Sequence, residues 1–280
     1  MTDPDTKLLP PWDQHKPNKL LGQHFLVDKN ILQKIIGAAA IKNTDTVLEV
    51  GPGLGILTFE IAKRAGKVAA VEKDPALAET LKKEIEKRGI TNIEVIAGDI
   101  LKMPRELFAR IVPYRVIANI PYYLTARLLR KLLEEVAQPK EIIFTIQKEV
   151  AERIVSRPPR MSLLALGVQL YGTPKILFTI PKSAFWPVPE VEAALIKIEN
   201  ISKNIFSESG VSESGLFSIA RAAFQTKRKI LLNSLARQTS IDKASLQITL
   251  ASLGITRLAR SEELSVGQWI SLVARLDKNS

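Results

Sequence analysis

A strand that runs into a glycine-rich turn and then into a helix is the feature that most constrains the fold of this chain. The segment Val47–Gly55 reads VLEVGPGLG, and helical spacing of apolar residues follows it to about Arg64. In a doubly wound parallel sheet, such a turn places a ligand at the carboxyl end of the first strand, against a helix N-terminus. We therefore expect a ligand cleft at this turn.

Strand-like runs alternate with helical stretches along most of the chain. The expected strands are Thr46–Val50, Val68–Val71, Ile93–Ile96, Tyr114–Ala118, Glu141–Ile146, Lys175–Ile180 and Ala194–Ile198. The expected helices cover about 29–40, 55–64, 75–87, 125–133 and 148–154. This alternation predicts an α/β fold, with a Rossmann-like, mostly parallel sheet and helices on both of its faces.

The pattern predicts three regions. Residues 1–19 are polar and proline-rich and are expected to form a mobile tail, whereas residues 20–200 form the α/β domain. The Ser-, Asn- and Gly-rich segment Ile201–Gly215 is expected to be a linker within a small, all-helical domain over residues 201–280. Its helices are expected near 216–225, 227–238, 243–252 and 265–276.

Composition excludes several kinds of chemistry. The 280 residues include no cysteine and only two histidines, which excludes disulfides, thiolate nucleophiles and Cys/His zinc clusters; we expect no metal. No apolar run approaches the roughly 20 residues needed to span a bilayer and no signal-peptide layout is present, so we expect a cytoplasmic protein. A net charge of +11 favours polyanionic partners, although a merely soluble basic protein is an alternative.

The details of the glycine turn favour S-adenosylmethionine (SAM) over NAD. The third glycine comes one residue earlier than in the dinucleotide fingerprint, and Pro52 removes an N–H that a pyrophosphate would use. Carboxylates stand at three successive strand ends. Glu72 is placed to accept the ribose hydroxyls, Asp99 to accept the adenine amine, and Glu49 to face the ammonium group. SAM carries these groups and has no phosphate.

The segment Asn119–Tyr122, with the sequence NIPY, follows the fourth strand and opens onto the same cleft. An exocyclic adenine amine is a poor nucleophile because its lone pair is delocalised into the ring. Acceptors at the Asn119 side chain and at a backbone carbonyl near Ile120 would localise that lone pair for attack on a methyl group. Pro121 would fix the backbone and Tyr122 would stack on the base. The alternative is a tight turn with conformational Asn and Pro.

The chain resembles the KsgA-type rRNA adenine N6,N6-dimethyltransferase family. The resemblance is carried by Asn119–Tyr122, Leu21–Leu26, the glycine turn, Gln147–Ala151, Phe185–Pro189 and Ala223–Lys229, and it covers about residues 19–275. It implies a class I SAM-dependent methyltransferase sheet. It also implies dimethylation of two adjacent adenosines in a hairpin loop near the 3′ end of 16S rRNA, in the immature small ribosomal subunit. A monomer is expected.

The resemblance and the motifs together give a set of candidate site residues. The catalytic candidates are Asn119, Pro121, Tyr122 and Phe185, and Phe185 is expected to stack on the face of the base opposite Tyr122. The candidates for binding SAM are His24, Leu26, Glu49, Gly51, Gly53, Glu72, Asp99, Ile100 and Asn119. The sequence departs from the family pattern at His24 and Tyr123, where Asn is common, at Ala193, where Ser is common, and in the short loop Arg157–Met161.

The last 80 residues carry 11 Lys and Arg against 6 Asp and Glu. The candidates for gripping the rRNA backbone are Arg221, Lys227, Arg228 and Lys229, although a solvated helical face would have the same composition. Two other functions remain open. One is a 23S rRNA adenine N6-methyltransferase of the macrolide-resistance type, and the other is a non-catalytic ribosome-assembly factor on the same fold.

Overall fold

The fold is taken from a computed structural model that describes residue 17 and residues 22–225, 229–238 and 241–277. The tail predicted over residues 1–19 therefore lies outside the described residues, apart from Pro17. The chain forms two compact units. Residues 1–151 and 174–201 form one, here called the sheet unit; residues 152–173 and 202–280 form the other, the helical unit. The domain boundaries drawn from sequence stay predictions.

The sheet unit is built on a seven-stranded mixed sheet, which confirms the predicted α/β class. Its strands are β2 (Thr46–Val50), β3 (Lys67–Glu72), β4 (Ile93–Ala97), β5 (Tyr114–Asn119), β6 (Ile142–Gln147), β7 (Thr173–Ile180) and β9 (Ala193–Glu199). They lie in the order β4-β3-β2-β5-β6-β9-β7. The pairs β2–β3, β3–β4, β2–β5 and β5–β6 are parallel, whereas β6 and β9 are antiparallel. A separate two-stranded sheet pairs β1 (Phe25–Leu26) with β8 (Phe185–Trp186).

Helices connect these strands: α1 (Lys29–Ala39), α2 (Ile56–Ala62), α3 (Pro75–Lys87), α4 (Arg105–Ile111), α5 (Thr125–Arg130) and α6 (Lys148–Val155). Two of these helices begin at aspartates whose side chains accept hydrogen bonds from the first free backbone amides. Asp28 caps α1, and Asp74 caps α3 with Pro75 at its first position. The helix expected over 125–133 is α-helical only to Arg130, and the π-helical turn Lys131–Glu135 follows.

Arg115 ties the amino end of β5 to its surroundings. Its guanidinium is largely buried, pairs with Asp45 at 2.6 Å and with Glu141, and donates to the backbone carbonyl of Ala39. A buried guanidinium needs such partners, because an unpaired buried charge is strongly destabilising. Since Arg115 and Asn119 lie at opposite ends of one strand, this network is separate from the edge of the sheet where β5 ends.

The helical unit corrects one expectation from the sequence. Its helices are α7 (Leu163–Gln169), α8 (Asn204–Ser209), α9 (Glu213–Phe224), α10 (Leu231–Gln238), α11 (Lys243–Ser252) and α12 (Val266–Asp277). The prediction of a linker over Ile201–Gly215 was wrong, because α8 lies within it. The small polar residues there end and begin helices: Gly210 is left-handed just after α8, and the Ser212 hydroxyl caps α9.

The helical unit has a core of its own around the fully buried Trp269, whose ring stacks on Phe224 with centroids 5.6 Å apart. Within the described ranges, no helix is both long enough and apolar enough to cross a membrane.

Candidate active site

A cleft that opens to solvent lies at the carboxyl ends of β2, β3 and β5, beside the turn that follows β4. The structure brings nearly all the sequence candidates together here, since the following residues line the cleft: His24, Leu26, Glu49, Gly51, Gly53, Glu72, Asp99, Ile100, Asn119, Pro121 and Tyr122. All of them belong to the sheet unit.

The glycine turn has a backbone that other residues would strain. Gly51 and Gly53 have φ angles of +68° and +57°, in the left-handed region that favours glycine. A Cβ on Gly53 would also lie 2.8 Å from the Phe25 ring. The absence of side chains therefore lets the turn and the Phe25 ring form one compact wall of the cleft.

Glu72 is held in a defined orientation by the turn that it faces. Its Oε2 accepts a hydrogen bond from the Gly53 amide at 2.9 Å, and its Oε1 accepts one from the Asp74 amide at 2.8 Å. Burial raises the pKa of Glu72, although these amide hydrogen bonds oppose the rise. Each carboxylate oxygen has a second lone pair, so Glu72 retains the capacity to accept hydrogen bonds from a diol in the cleft.

Asp99 forms an ion pair that the sequence did not predict. Its Oδ2 lies 3.1 Å from the ammonium nitrogen of Lys73, and its Oδ1 accepts a hydrogen bond from the Leu101 amide. Burial alone would raise the pKa of Asp99, but the Leu101 amide and Lys73 outweigh burial and hold that pKa below its usual range. Lys73 also lines the cleft, and its position directly after Glu72 was the available signal.

Glu49 presents a buried acceptor without a partner. The residue is 1% exposed, and its Oε2 has no hydrogen-bond partner among the described residues. Burial, with the nearby charge of Glu72 as a smaller contribution, raises the pKa of Glu49 to about 8. An unpaired buried carboxyl oxygen is costly, so its presence in the wall of a cleft fits a site for a cationic group or an ordered water.

Asn119 ends β5 with its side chain fixed by one hydrogen bond. The amide nitrogen Nδ2 donates to the His24 carbonyl oxygen at 2.9 Å. With the nitrogen used in this way, the side-chain oxygen Oδ1 is the group available to accept hydrogen bonds from a ligand. The segment before β1 thus orients the carboxamide of the NIPY segment.

Tyr122 packs against His24 in this structure. The two rings stack with centroids 5.6 Å apart and an angle of 25° between their planes, while the His24 Nδ1 donates to the Pro187 carbonyl at 2.7 Å. The Tyr122 hydroxyl is buried and has no partner among the described residues, and burial raises the pKa of Tyr122 to about 12. The aromatic ring expected to stack on a base therefore lies in the cleft wall.

Phe185 does not have the position that the sequence suggested. Its side chain is 2% exposed, packs in the core and does not line the cleft, so Tyr122 and Phe185 do not form a sandwich for a base in this structure. The reason lies in the register of β8, where Phe185 pairs with Leu26 and Trp186 with Phe25. Successive side chains of a strand point to opposite faces, so Phe185 is buried and Trp186 is 37% exposed.

The structure describes only part of the basic cluster. Arg221 is exposed on α9, with its guanidinium 5.9 Å from the centre of the Phe217 ring, and Lys229 is also exposed. Lys227 and Arg228 lie outside the described residues. In the described part of the chain, no group of three or more His, Asp or Glu residues is arranged to hold a metal ion.

Comparison with known proteins identifies relatives of this chain. The sequence model of the family described as "Ribosomal RNA adenine dimethylase" matches residues 14–278. The chain is 45% identical to a protein named Ribosomal RNA small subunit methyltransferase A from Dehalococcoides mccartyi, over 92% of this chain and 87% of that protein.

Two solved structures are similar to this fold. A dimethyladenosine transferase from Plasmodium falciparum superposes with a TM-score of 0.75 at 27% identity, covering 91% of this chain and 98% of that one. The 23S rRNA methyltransferase ErmE has a TM-score of 0.70 at 26% identity, covering 90% and 99%. With the family match over nearly the whole sequence, these similarities show that the chain belongs to the ribosomal RNA adenine dimethylase family.

Proposed function

We propose that this protein transfers methyl groups from SAM to the N6 amines of two adjacent adenosines in a hairpin loop near the 3′ end of 16S rRNA. The observation that carries the proposal is the position of Asn119, whose oriented carboxamide shares one cleft with the carboxylates of Glu49, Glu72 and Asp99. This arrangement suits a methyl donor and an amine acceptor that meet at the end of β5. The names of the relatives support the substrate class.

The residues in the cleft fit SAM group by group. Glu72 would accept the ribose hydroxyls, Asp99 would accept the adenine amine, and the unpartnered Oε2 of Glu49 would face the ammonium group. The glycine turn at Gly51 and Gly53 would let the ligand approach the backbone closely. When bound, SAM supplies an electrophilic methyl group on a positively charged sulfur.

The chain's own residues would make the adenine amine nucleophilic. Hydrogen bonds from the amine to Asn119 Oδ1 and to the Ile120 carbonyl draw its lone pair out of conjugation, and Pro121 holds that carbonyl in place. Bound SAM would supply the methyl group to the nitrogen held in this way, and the methylated nitrogen would release its proton to solvent. No general base is required before attack, so positioning carries most of the rate.

The comparisons favour this function over its alternatives. The protein named for the small subunit is 45% identical to this chain, whereas ErmE, named for 23S rRNA, is 26% identical. A purely structural assembly factor would not need the oriented Asn119 beside three carboxylates. The immature small subunit as substrate and a cytoplasmic location are parts of the proposal that fit the rRNA target, and a monomeric state is a separate part of it.

The test is to map methylation on rRNA. Purified protein and labelled SAM are incubated with small and with large ribosomal subunits from a strain lacking this methylation, and modified positions in both rRNAs are mapped by primer extension. We expect two adjacent dimethylated adenosines near the 3′ end of 16S rRNA. Methylation confined to 23S rRNA, or none at all, would overturn the proposal.

Substitution of Asn119 tests the catalytic assignment separately. We expect Asn119→Ala to lower kcat by on the order of 10²–10³, because it removes one preorganised polar group that acts on the reacting amine. The Kd for SAM, measured by calorimetry, should change only a few-fold. A variant that retains full methyl transfer would refute the role of Asn119.

A further inference from the structure

Tyr123 is an aromatic residue that the chemistry above does not use. It directly follows Tyr122 and lines the cleft, yet 45% of its surface is exposed. A single exposed aromatic side chain needs no explanation by itself. The surroundings of Tyr123 make this one informative.

One edge of the Tyr123 ring lies close to the backbone of Gly22. A Cβ on Gly22 would lie 3.4 Å from the Tyr123 Cδ1, and Gly22 has a φ angle of +58°. The ring therefore rests against the chain that enters β1, and much of the rest of it faces solvent where the cleft opens. A partly exposed aromatic ring that is held along one edge can offer a face on which a single-stranded base stacks.

Two cationic side chains, Lys73 and Arg127, line the same cleft as Tyr123. Lys73 lies within electrostatic range of both Tyr123 and Arg127, and its own charge is partly neutralised by Asp99. Arg127 is exposed and forms no ion pair with any residue that the structure describes. Its guanidinium therefore offers an uncompensated positive charge in the cleft that Tyr123 also lines.

We propose that Tyr123 and Arg127 form a subsite for the nucleotide next to the target adenosine, with its base stacked on Tyr123 and its phosphate bound by Arg127. This inference rests on the proposed function and adds a substrate contact to it. Tyr122 and Tyr123 are consecutive residues of one 3₁₀ turn, so their rings leave the backbone in different directions and can contact different nucleotides. Single-stranded RNA is the occupant that uses both an aromatic ring and a cation.

Steady-state kinetics on an RNA hairpin in the small subunit test the stacking. We expect Tyr123→Ala to raise the KM for RNA about 10-fold, because stacking on an aromatic side chain is lost. Tyr123→Phe keeps the ring and should stay within about 3-fold of the unsubstituted protein. The Kd for SAM should be the same for all three proteins.

An abasic nucleotide beside the target adenosine gives the decisive comparison. The unsubstituted protein should lose about 10-fold in KM on this RNA, whereas Tyr123→Ala should lose little more, because both changes remove the same contact. If Tyr123→Ala and the abasic nucleotide leave KM unchanged while methylation proceeds, the subsite is refuted and the proposed function stands. A 10-fold change in the Kd for SAM would instead make Tyr123 a cofactor contact and also refute the subsite. Absence of methylation by the unsubstituted protein would refute the proposed function itself.

Arg127→Ala tests the phosphate contact. We expect the slope of log Kd for RNA against log salt concentration to fall by about 0.7, the value for one contact to a single strand. Arg130→Ala is the matched control, because Arg130 lies on the same helix, pairs with Glu134 at 3.1 Å and does not line the cleft. Equal slopes for the two variants would overturn the role of Arg127.

Discussion

At the scale of single residues, Glu49 is the group whose charge depends most on what the cleft contains. It is buried in the protein, one of its oxygens has no partner in the described residues, and its pKa is raised to about 8. A carboxyl group in this state is mostly protonated at neutral pH. A cation bound beside it would favour the ionised form, so binding of SAM should be coupled to release of a proton.

The raised pKa predicts how the stability of the ligand-free protein depends on pH. Because the folded state holds the proton up to about pH 8 and the unfolded state only to about 4.5, this contribution is full below pH 4.5 and is lost as the pH rises to 8. Relative to Glu49→Gln, the unsubstituted protein should therefore lose unfolding free energy over that window, by at most about 1.4 kcal/mol per pH unit.

Urea unfolding of both proteins at pH 5 to 9 measures this difference. Glu79→Gln is the control, since Glu79 lies on the solvent-exposed side of α3. The unfolding free energy of Glu79→Gln should differ from that of the unsubstituted protein by a nearly constant amount over this pH range. A constant difference for Glu49→Gln as well would show that the pKa of Glu49 is not raised.

At the scale of elements, the turn after β2 and the pairing of β1 with β8 decide the shape of the cleft. The left-handed Gly51 and Gly53 bring the backbone under the Phe25 ring, and β1 carries that ring. The same β1–β8 pairing buries Phe185 and exposes Trp186. Any movement that presented Phe185 to a base would have to break or shift this two-stranded pairing.

Gly53→Ala tests the turn. A Cβ there would enforce a strained backbone and a 2.8 Å approach to Phe25. We expect a loss of about 1–3 kcal/mol in unfolding free energy, and at least a 10-fold weaker Kd for SAM because the Gly53–Glu72 hydrogen bond is disturbed.

Gly37→Ala is the control, since Gly37 lies within α1 and a Cβ there would meet nothing within 4 Å. It should leave the Kd for SAM unchanged and stabilise the protein by about 0.5–1 kcal/mol. Chemical denaturation and calorimetry on both variants give the answer. Similar behaviour of the two variants would contradict the role assigned to the turn.

At the scale of the whole molecule, we expect RNA binding to depend on where the positive charges lie and not only on the net charge. The net charge is +11, and the basic run Lys227–Lys229 falls within the residue range of the helical unit. Counterion release makes each phosphate contact visible in the salt dependence of RNA binding. Salt-dependence measurements can therefore separate the effect of where the basic residues lie from the effect of the total charge.

We expect replacement of Lys227, Arg228 and Lys229 by Ala to weaken binding of the 16S hairpin and to lower its salt slope by up to about 2. The control replaces Lys82, Lys83 and Lys87 by Ala. These three residues are exposed on α3, and their replacement removes the same charge. Binding is measured between 50 and 200 mM salt, and the control slope should barely change. Equal effects would mean that RNA responds to the total charge alone.

Sequence alone determined the alternation of strands and helices, the glycine turn and the candidates at the strand ends. The carboxyl ends of neighbouring parallel strands lie at one edge of a sheet, whatever the details of packing. Glu72, Asp99 and Asn119 therefore meet in one cleft as the pattern predicted. The α8 helix was not predicted because Ser and Gly are common both in helix caps and in linkers.

Only the tertiary structure decided which side chains face the cleft. Phe185 and Trp186 are neighbours with similar hydrophobicity, and the register against β1 alone determines that Phe185 is buried. Arg127 can be recognised as a cleft residue only once helices and strands distant in sequence have packed together. The unpartnered oxygen of Glu49 likewise depends on burial by the surrounding elements, because a local pattern cannot encode the solvation of a group.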